Sequence, residues 1–158
     1  MKPLTDEQIA AIDARFESGE TVWMWCIHHS VLCEPLSEPL SNRIKFINEH
    51  KEASERPIRL LALQPTMGPP PEVLVRAHAD CNKAHADFDK ARADYGKARC
   101  DKGRADYGKA WADYRNSLAD YGKAWADCAP ELLAQLRREY MDHPWDDEQG
   151  QINFGDTE

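Results

Sequence analysis

No run of apolar residues in this 158-residue chain is long enough to span a bilayer, which argues against a transmembrane anchor. Met1 to Ala10 lacks the charged and apolar regions of a signal peptide. The expected location is therefore the cytoplasm. Phosphate-binding loops, the H-E-x-x-H pair and the G-x-S-x-G elbow are missing, which removes the sequence-recognisable nucleotide, zinc-protease and serine-hydrolase chemistries. A surplus of basic residues is also lacking. Residues 1–71 hold 7 basic and 10 acidic groups, residues 72–128 hold 11 and 10, and residues 129–158 hold 2 and 8. The net charge of −8 thus sits mostly in the C-terminal stretch, and direct nucleic-acid binding is not expected.

An even set of cysteines is missing too. The five are Cys26, Cys33, Cys81, Cys100 and Cys128, and three stand where other copies of a repeat carry alanine or an aromatic. A disulfide framework does not substitute so freely, so these read as reduced, small apolar fillers. The hydrophobic share of 42% is enough for a modest core, while a mean hydropathy of −0.72 requires much of the chain to be solvated.

What is present begins with a helix signal. Thr5 and Gln8 make a T-x-x-Q capping box, Ile9, Ile12 and Phe16 recur at helical spacing, and Gly19 stands where the helix should end. Thr21 to Ile27 is β-branched and aromatic on both faces and reads as a buried strand. Glu34-Pro35 breaks it. Ser37 is placed to cap a second helix with Pro39 in its first turn and Leu40, Ile44 and Ile47 as its stripe. Ile58 to Leu63 reads as a second strand. The first 65 residues are thus an α-β-α-β unit with a two-stranded sheet, which needs a cover because two strands alone are marginal. The repeat helices are the expected cover.

Residues 66–71 form a Pro/Gly linker, and a helical repeat region follows at 72–141. Its copies run AHADCNK, AHADFDK, ARADYGK, ARCDKGR, a shortened ADYGK, AWADYRN, SLADYGK and AWADCAP. Aspartates fall at 80, 87, 94, 101, 106, 113, 120 and 127, seven apart except for one interval of five. Seven-residue spacing nearly closes two helical turns. With the aromatic (Phe88, Tyr95, Tyr107, Tyr114, Tyr121) at the origin of a helical wheel, the alanine three later falls at about 300° and the Trp111/Trp125 position at about 40°. That is an apolar stripe roughly 100° wide. Gly96, Gly108 and Gly122, with Ala93, Ala112 and Ala126, form a second stripe of small residues. Glycine in a helix costs about 1 kcal/mol against alanine, so its recurrence predicts a close backbone neighbour, with a Tyr/Trp ridge set into a Gly/Ala groove. The five-residue interval turns the stripe by about 120° between Tyr95 and Tyr107, which no single straight seam survives. Asp101 to Arg104 has turn chemistry, so an antiparallel hairpin with a break near Lys102 is expected. Pro130 starts a short C-terminal helix, Glu131 to Tyr140. Residues 142–158 are an acidic tail, expected to be mobile apart from a Trp145 anchor. The fold class is α+β.

Chemistry-bearing clusters are few. Cys26, His28, His29 and Cys33 have ligand chemistry, but their spacing matches no standard zinc pair and they overlap an apolar strand. No metal or other cofactor is expected. The tail resembles a calcium loop if Gly150 takes the sixth position and Asp147, Gln149 and Asp156 flank it, but Trp145 would then occupy the first position and cannot ligate. His78 and His85, seven apart, read as partly exposed interface residues.

The segments TVWMWCIHHSVLCEPLSEPLSNRIKFI and ADYGKAWADYRNSLADYGKAWAD together resemble uncharacterised bacteriophage and prophage proteins. These have a Trp/His-containing N-terminal unit followed by A-x-A-x-Y-x-K-A heptads. The resemblance implies a phage-encoded accessory protein acting in the host cytoplasm and supplies no catalytic residue. Three functions stay open. The first is a non-catalytic protein acting by helix-mediated contact or self-assembly, with itself as partner in a homodimer or with a host protein, through Tyr107, Trp111, Tyr114, Tyr121 and Trp125. The second is an inhibitor of a host defence enzyme, of the anti-CRISPR kind. The third is a metal- or thiol-dependent enzyme using the Cys/His cluster.

Overall fold

The structure, a computed structural model, describes residues 1–28, 30–98 and 101–153. Helix α1 (Asp6–Glu17) begins with the expected capping box: Thr5 N–H donates to Gln8 Oε1 at 2.9 Å and Gln8 N–H to Thr5 Oγ1 at 3.3 Å. It ends at Gly19, whose φ of 86° is left-handed and whose N–H donates to Phe16 O. Strand β1 (Trp23–Trp25) follows and is buried throughout. It is the centre of a three-stranded antiparallel sheet in the order β2-β1-β3.

Both neighbours of β1 differ from expectation. Strand β2 (Cys33–Pro35) lies where Glu34-Pro35 reads as a breaker, and Trp25 pairs with Cys33. A proline is tolerated here because β2 is an edge strand. The expected strand at Ile58–Leu63 is instead helix α3 (Arg56–Ala62), with Pro57 in its first turn. Arg59 and Ala62 are its buried positions, with Leu63 buried just after it, a spacing of three and four, and Arg59 pairs with Glu55 one turn earlier. So short an apolar run does not distinguish strand from helix by period. The third strand is only Gln64–Pro65 (β3), directly after α3.

Helix α2 (Leu40–His50) starts without a side-chain cap of its own. The expected cap Ser37 is replaced by Asp13 of α1, whose carboxylate accepts from Leu40 and Ser41 N–H. A cap of this kind contributes about 1 kcal/mol, here while joining two helices.

The chain divides into two compact units: Met1–Pro69 together with the chain from Pro130 onward, and Pro70–Ala129. In the first, alternation along β1 sends Met24 to one side and Trp23 and Trp25 to the other. Met24 joins Ile12, Val22, Leu40, Ile47 and Leu63 in one core cluster. Trp25, fully buried, meets the end of α5 (Asp101–Glu139), where its Nε1–H donates to Glu139 Oε2 at 2.9 Å. The cover of this sheet face therefore includes the non-repeat segment after Pro130. That segment is no separate helix, since α5 continues through Pro130.

The tail to Asn153 is structured. Strands β4 (Trp145–Asp146) and β5 (Gln151–Ile152) form a hairpin with Gly150 at φ 63° in its turn. Trp145 and Ile152 are buried, so the expected Trp145 anchor is present and shares its role with Ile152. The Thr66–Gly68 stretch is likewise fastened: Thr66 N–H donates to Trp23 O, and Met67 and Gly68 N–H to Glu139.

The second unit is helix α4 (Glu72–Ala98) and the repeat part of α5. Their ring contacts run in opposite directions along the two helices, so they form the expected antiparallel hairpin. The expected turn residues Asp101 to Arg104, with Lys102, lie within α5. Asp101 opens α5, where a carboxylate favours the helix N-terminus, and Arg99 and Cys100 lie outside the described residues. Among the described residues no helix is long and apolar enough to cross a membrane.

Candidate functional site

Heptad positions build the hairpin seam. On α4 the buried residues Leu74, Cys81 and Phe88 stand seven apart; on α5 the matching series is Tyr107, Tyr114, Tyr121 and Cys128. The alanine of the stripe also turns inward, as at Ala124. The rings meet one another across the seam. Phe88 has Trp111 at 5.1 Å, Tyr107 at 5.4 Å and Tyr114 at 5.9 Å between centroids, and Tyr95 lies 5.9 Å from Tyr107. Each such pair contributes about 0.5–1.5 kcal/mol beyond the area it buries.

His78 and His85 extend this ladder, with ring centroids 5.5 Å from Tyr121 and 4.9 Å from Tyr114. Burial lowers the His78 pKa, so this ring stacks as a neutral imidazole at neutral pH.

Of the five residues expected to bind a partner, Tyr107, Tyr114 and Tyr121 are half-buried in the seam, as is Trp125. Trp111 is 44% exposed although its ring touches Phe88 and Tyr114. Leu118, one heptad further, is 48% exposed and was not singled out by the aromatic pattern. The five are therefore one stripe but not one surface.

Among the described residues nothing packs on the glycines of the small-residue stripe. A Cβ added at Gly96, Gly108 or Gly122 meets nothing within 4 Å. The ridge expected to enter a Gly/Ala groove packs on rings instead, because the seam centres on the aromatic and the alanine three residues later. On another side of the hairpin, Ala77, Ser117 and Ala124 floor a groove of about 310 Å³, with Asp80, Asp120 and Asp127 among its walls. Lys123 pairs with Asp127 there.

The described members of the N-terminal Cys/His cluster are Cys26, His28 and Cys33. Cys26 and Cys33 are buried, and desolvation pushes both thiols above their ordinary range, reinforced at Cys26 by Cys33 and Glu34 and at Cys33 by Glu139 and Glu34. Thiols held protonated are poor nucleophiles and poor ligands. His28 is exposed on the β1–β2 connection, its Nδ1 2.6 Å from Glu34 Oε1. His29 lies outside the described residues. Cys26 has a φ of 51°, and its N–H closes the connection on Leu32 O. In the tail, Asp147 binds Arg137 and Asp146 accepts from Glu148 and Gln149 N–H, so these carboxylates already have partners. Among the described residues no group of three or more His, Cys, Asp or Glu is arranged to hold a metal ion.

Two residues that organise the first unit carried no signal in the sequence. Glu139 accepts four hydrogen bonds, from Trp25 Nε1, Met67 N, Gly68 N and Gln135 Nε2. His143 is buried between Ala62 and Trp145. Neither belongs to a periodic pattern.

The architecture is thus an α+β unit joined in sequence to an antiparallel helical hairpin with an aromatic seam. Comparison with family models, with curated proteins and with solved structures returned no match.

Proposed function

We propose that this is a non-catalytic accessory protein of the phage type that acts through helix-mediated protein–protein contact, with a second copy of itself as the first partner and the host cytoplasm as its setting. The observation that carries the reading is the outer edge of α5. Trp111 and Leu118, large and apolar, are exposed there one heptad apart, beside exposed Gly108, Ala112, Ala119 and Gly122. A ridge and a groove side by side on one helix are self-complementary under a two-fold axis. Glycines that cost helix stability without any neighbour among the described residues are accounted for by a neighbour outside the chain. The buried, protonated state of Cys26 and Cys33 supports a role without thiol chemistry.

Light scattering at micromolar concentration tests the reading. A dimer mass is expected; a mass of 18.0 kDa at every concentration overturns self-association. A Trp111→Ala/Leu118→Ala variant should keep its helical circular dichroism and lose assembly. If assembly survives in the variant, the contact lies elsewhere.

A further inference from the structure

His143 joins three parts of the first unit. The residue is only 4% exposed. Nε2 lies 2.8 Å from the carbonyl oxygen of Ala62, at the end of α3, and Nδ1 lies 3.2 Å from the backbone nitrogen of Trp145, the first residue of β4. A carbonyl only accepts and an amide N–H only donates, so these partners define a neutral ring with its proton on Nε2. The rest of the residue is held by the end of α5: its N–H donates to Tyr140 O, and its carbonyl accepts from Arg137.

We infer that His143 is a proton-operated clasp, which on protonation at Nδ1 drives off the Trp145 amide and releases the β4–β5 hairpin from α3. The two sides of the ring respond differently. The Nε2–H bond to Ala62 survives protonation and strengthens, because a cation donates better. On the other side an imidazolium N–H would face an amide N–H, so the strand must move. Release disrupts the burial of Trp145 and Ile152, the hairpin's two apolar anchors.

The groups facing the ring set the pH range. From α5, the Arg137 guanidinium disfavours a second positive charge; it also binds Trp145 O and Asp147 Oδ1 of the hairpin, each at 2.7 Å. From α3 comes the Ala62 carbonyl, which works in the opposite direction. Desolvation outweighs that carbonyl, and with Arg137 it holds the His143 pKa down to about 4. A released histidine has a pKa of about 6.5. The closed form is therefore fully favoured above that value, loses ground as the pH falls from about 6.5 to about 4, and loses no more below it. Over that window the closed-to-open ratio should fall by roughly two orders of magnitude.

The test is an NMR titration of the whole chain from pH 7.5 to pH 4, following the His143 ring and the amide-exchange protection of residues 145–152 corrected for intrinsic rates. Hairpin protection should fall about 100-fold while that of residues 74–95 stays, and the ring should titrate well below 6.5. His143→Gln, neutral and able to donate and accept, should flatten the loss, whereas Asp147→Asn should retain it. The proposal is overturned if hairpin protection does not change with pH, if the ring titrates at its ordinary value, or if His143→Gln keeps the full pH step. Should His143→Gln fail to fold, the wild-type titration together with Asp147→Asn still decides: a step abolished by Asp147→Asn belongs to the carboxylate.

Discussion

In residues 72–128 one short pattern recurs along two helices, and most copies add a ring to the seam. Phe88 touches Tyr107, Trp111 and Tyr114 together, so the loss of one ring leaves others in place. The unit built from residues 1–69 and the segment after Pro130 works differently. Its sheet has strands of three, three and two residues, and its fastenings are single: one Trp25, one Glu139, one His143. Repetition distributes stability over many modest contacts, whereas a small irregular fold concentrates it in a few side chains with several partners each.

The sharpest way to break this comparison is Trp25→Ala. It empties a fully buried ring site and removes a donor from Glu139, and should cost about 3–5 kcal/mol in urea unfolding. Tyr114→Ala in the seam should cost clearly less. Equal losses would mean that the seam is as specific as the sheet core.

A smaller effect is expected from Glu139→Gln. The amide keeps one acceptor oxygen but turns an NH2 group toward donors that need a partner. Hydrogen bonds to a charged group contribute about 1.5–3 kcal/mol, and a loss in that range is expected, together with faster amide exchange at Met67 and Gly68. A variant as stable as the parent would show that the four bonds are redundant.

The smallest effect has the opposite sign. Gly108→Ala and Gly122→Ala meet no neighbour within 4 Å, so each should stabilise the hairpin by up to about 1 kcal/mol, raising its melting temperature. If those glycines admit a second chain, the same variants should associate more weakly while melting higher. Lower melting temperatures would show a crowded site and contradict the open stripe.

The helical hairpin was legible from residues alone because its information is local: a period of seven, an aromatic in each late copy and one shortened interval. Even so, the wheel did not show which of two stripes would turn inward. Position on a helix is set by sequence, but the side that faces the partner depends on what the partner presents. The Thr5–Gln8 cap, the Gly19 stop and the buried character of Trp23–Trp25 were likewise readable, each being complete within a few residues. The strand at Cys33–Pro35 and the helix at Arg56–Ala62 were not. A three-residue strand has almost no period, and an edge position excuses its proline.

By itself, then, the sequence determined the α+β class, helix α1 with its cap and the heptad register of the hairpin, since backbone propensity and periodic burial act over one or two turns. The tertiary structure alone decided that Asp13 caps a helix 27 residues away, that Glu139 receives Trp25 across 114 residues, and that His143 reaches Ala62 across 81. A lone polar side chain carries no period, and its role exists only once packing removes water from it and leaves the protein to supply its hydrogen bonds.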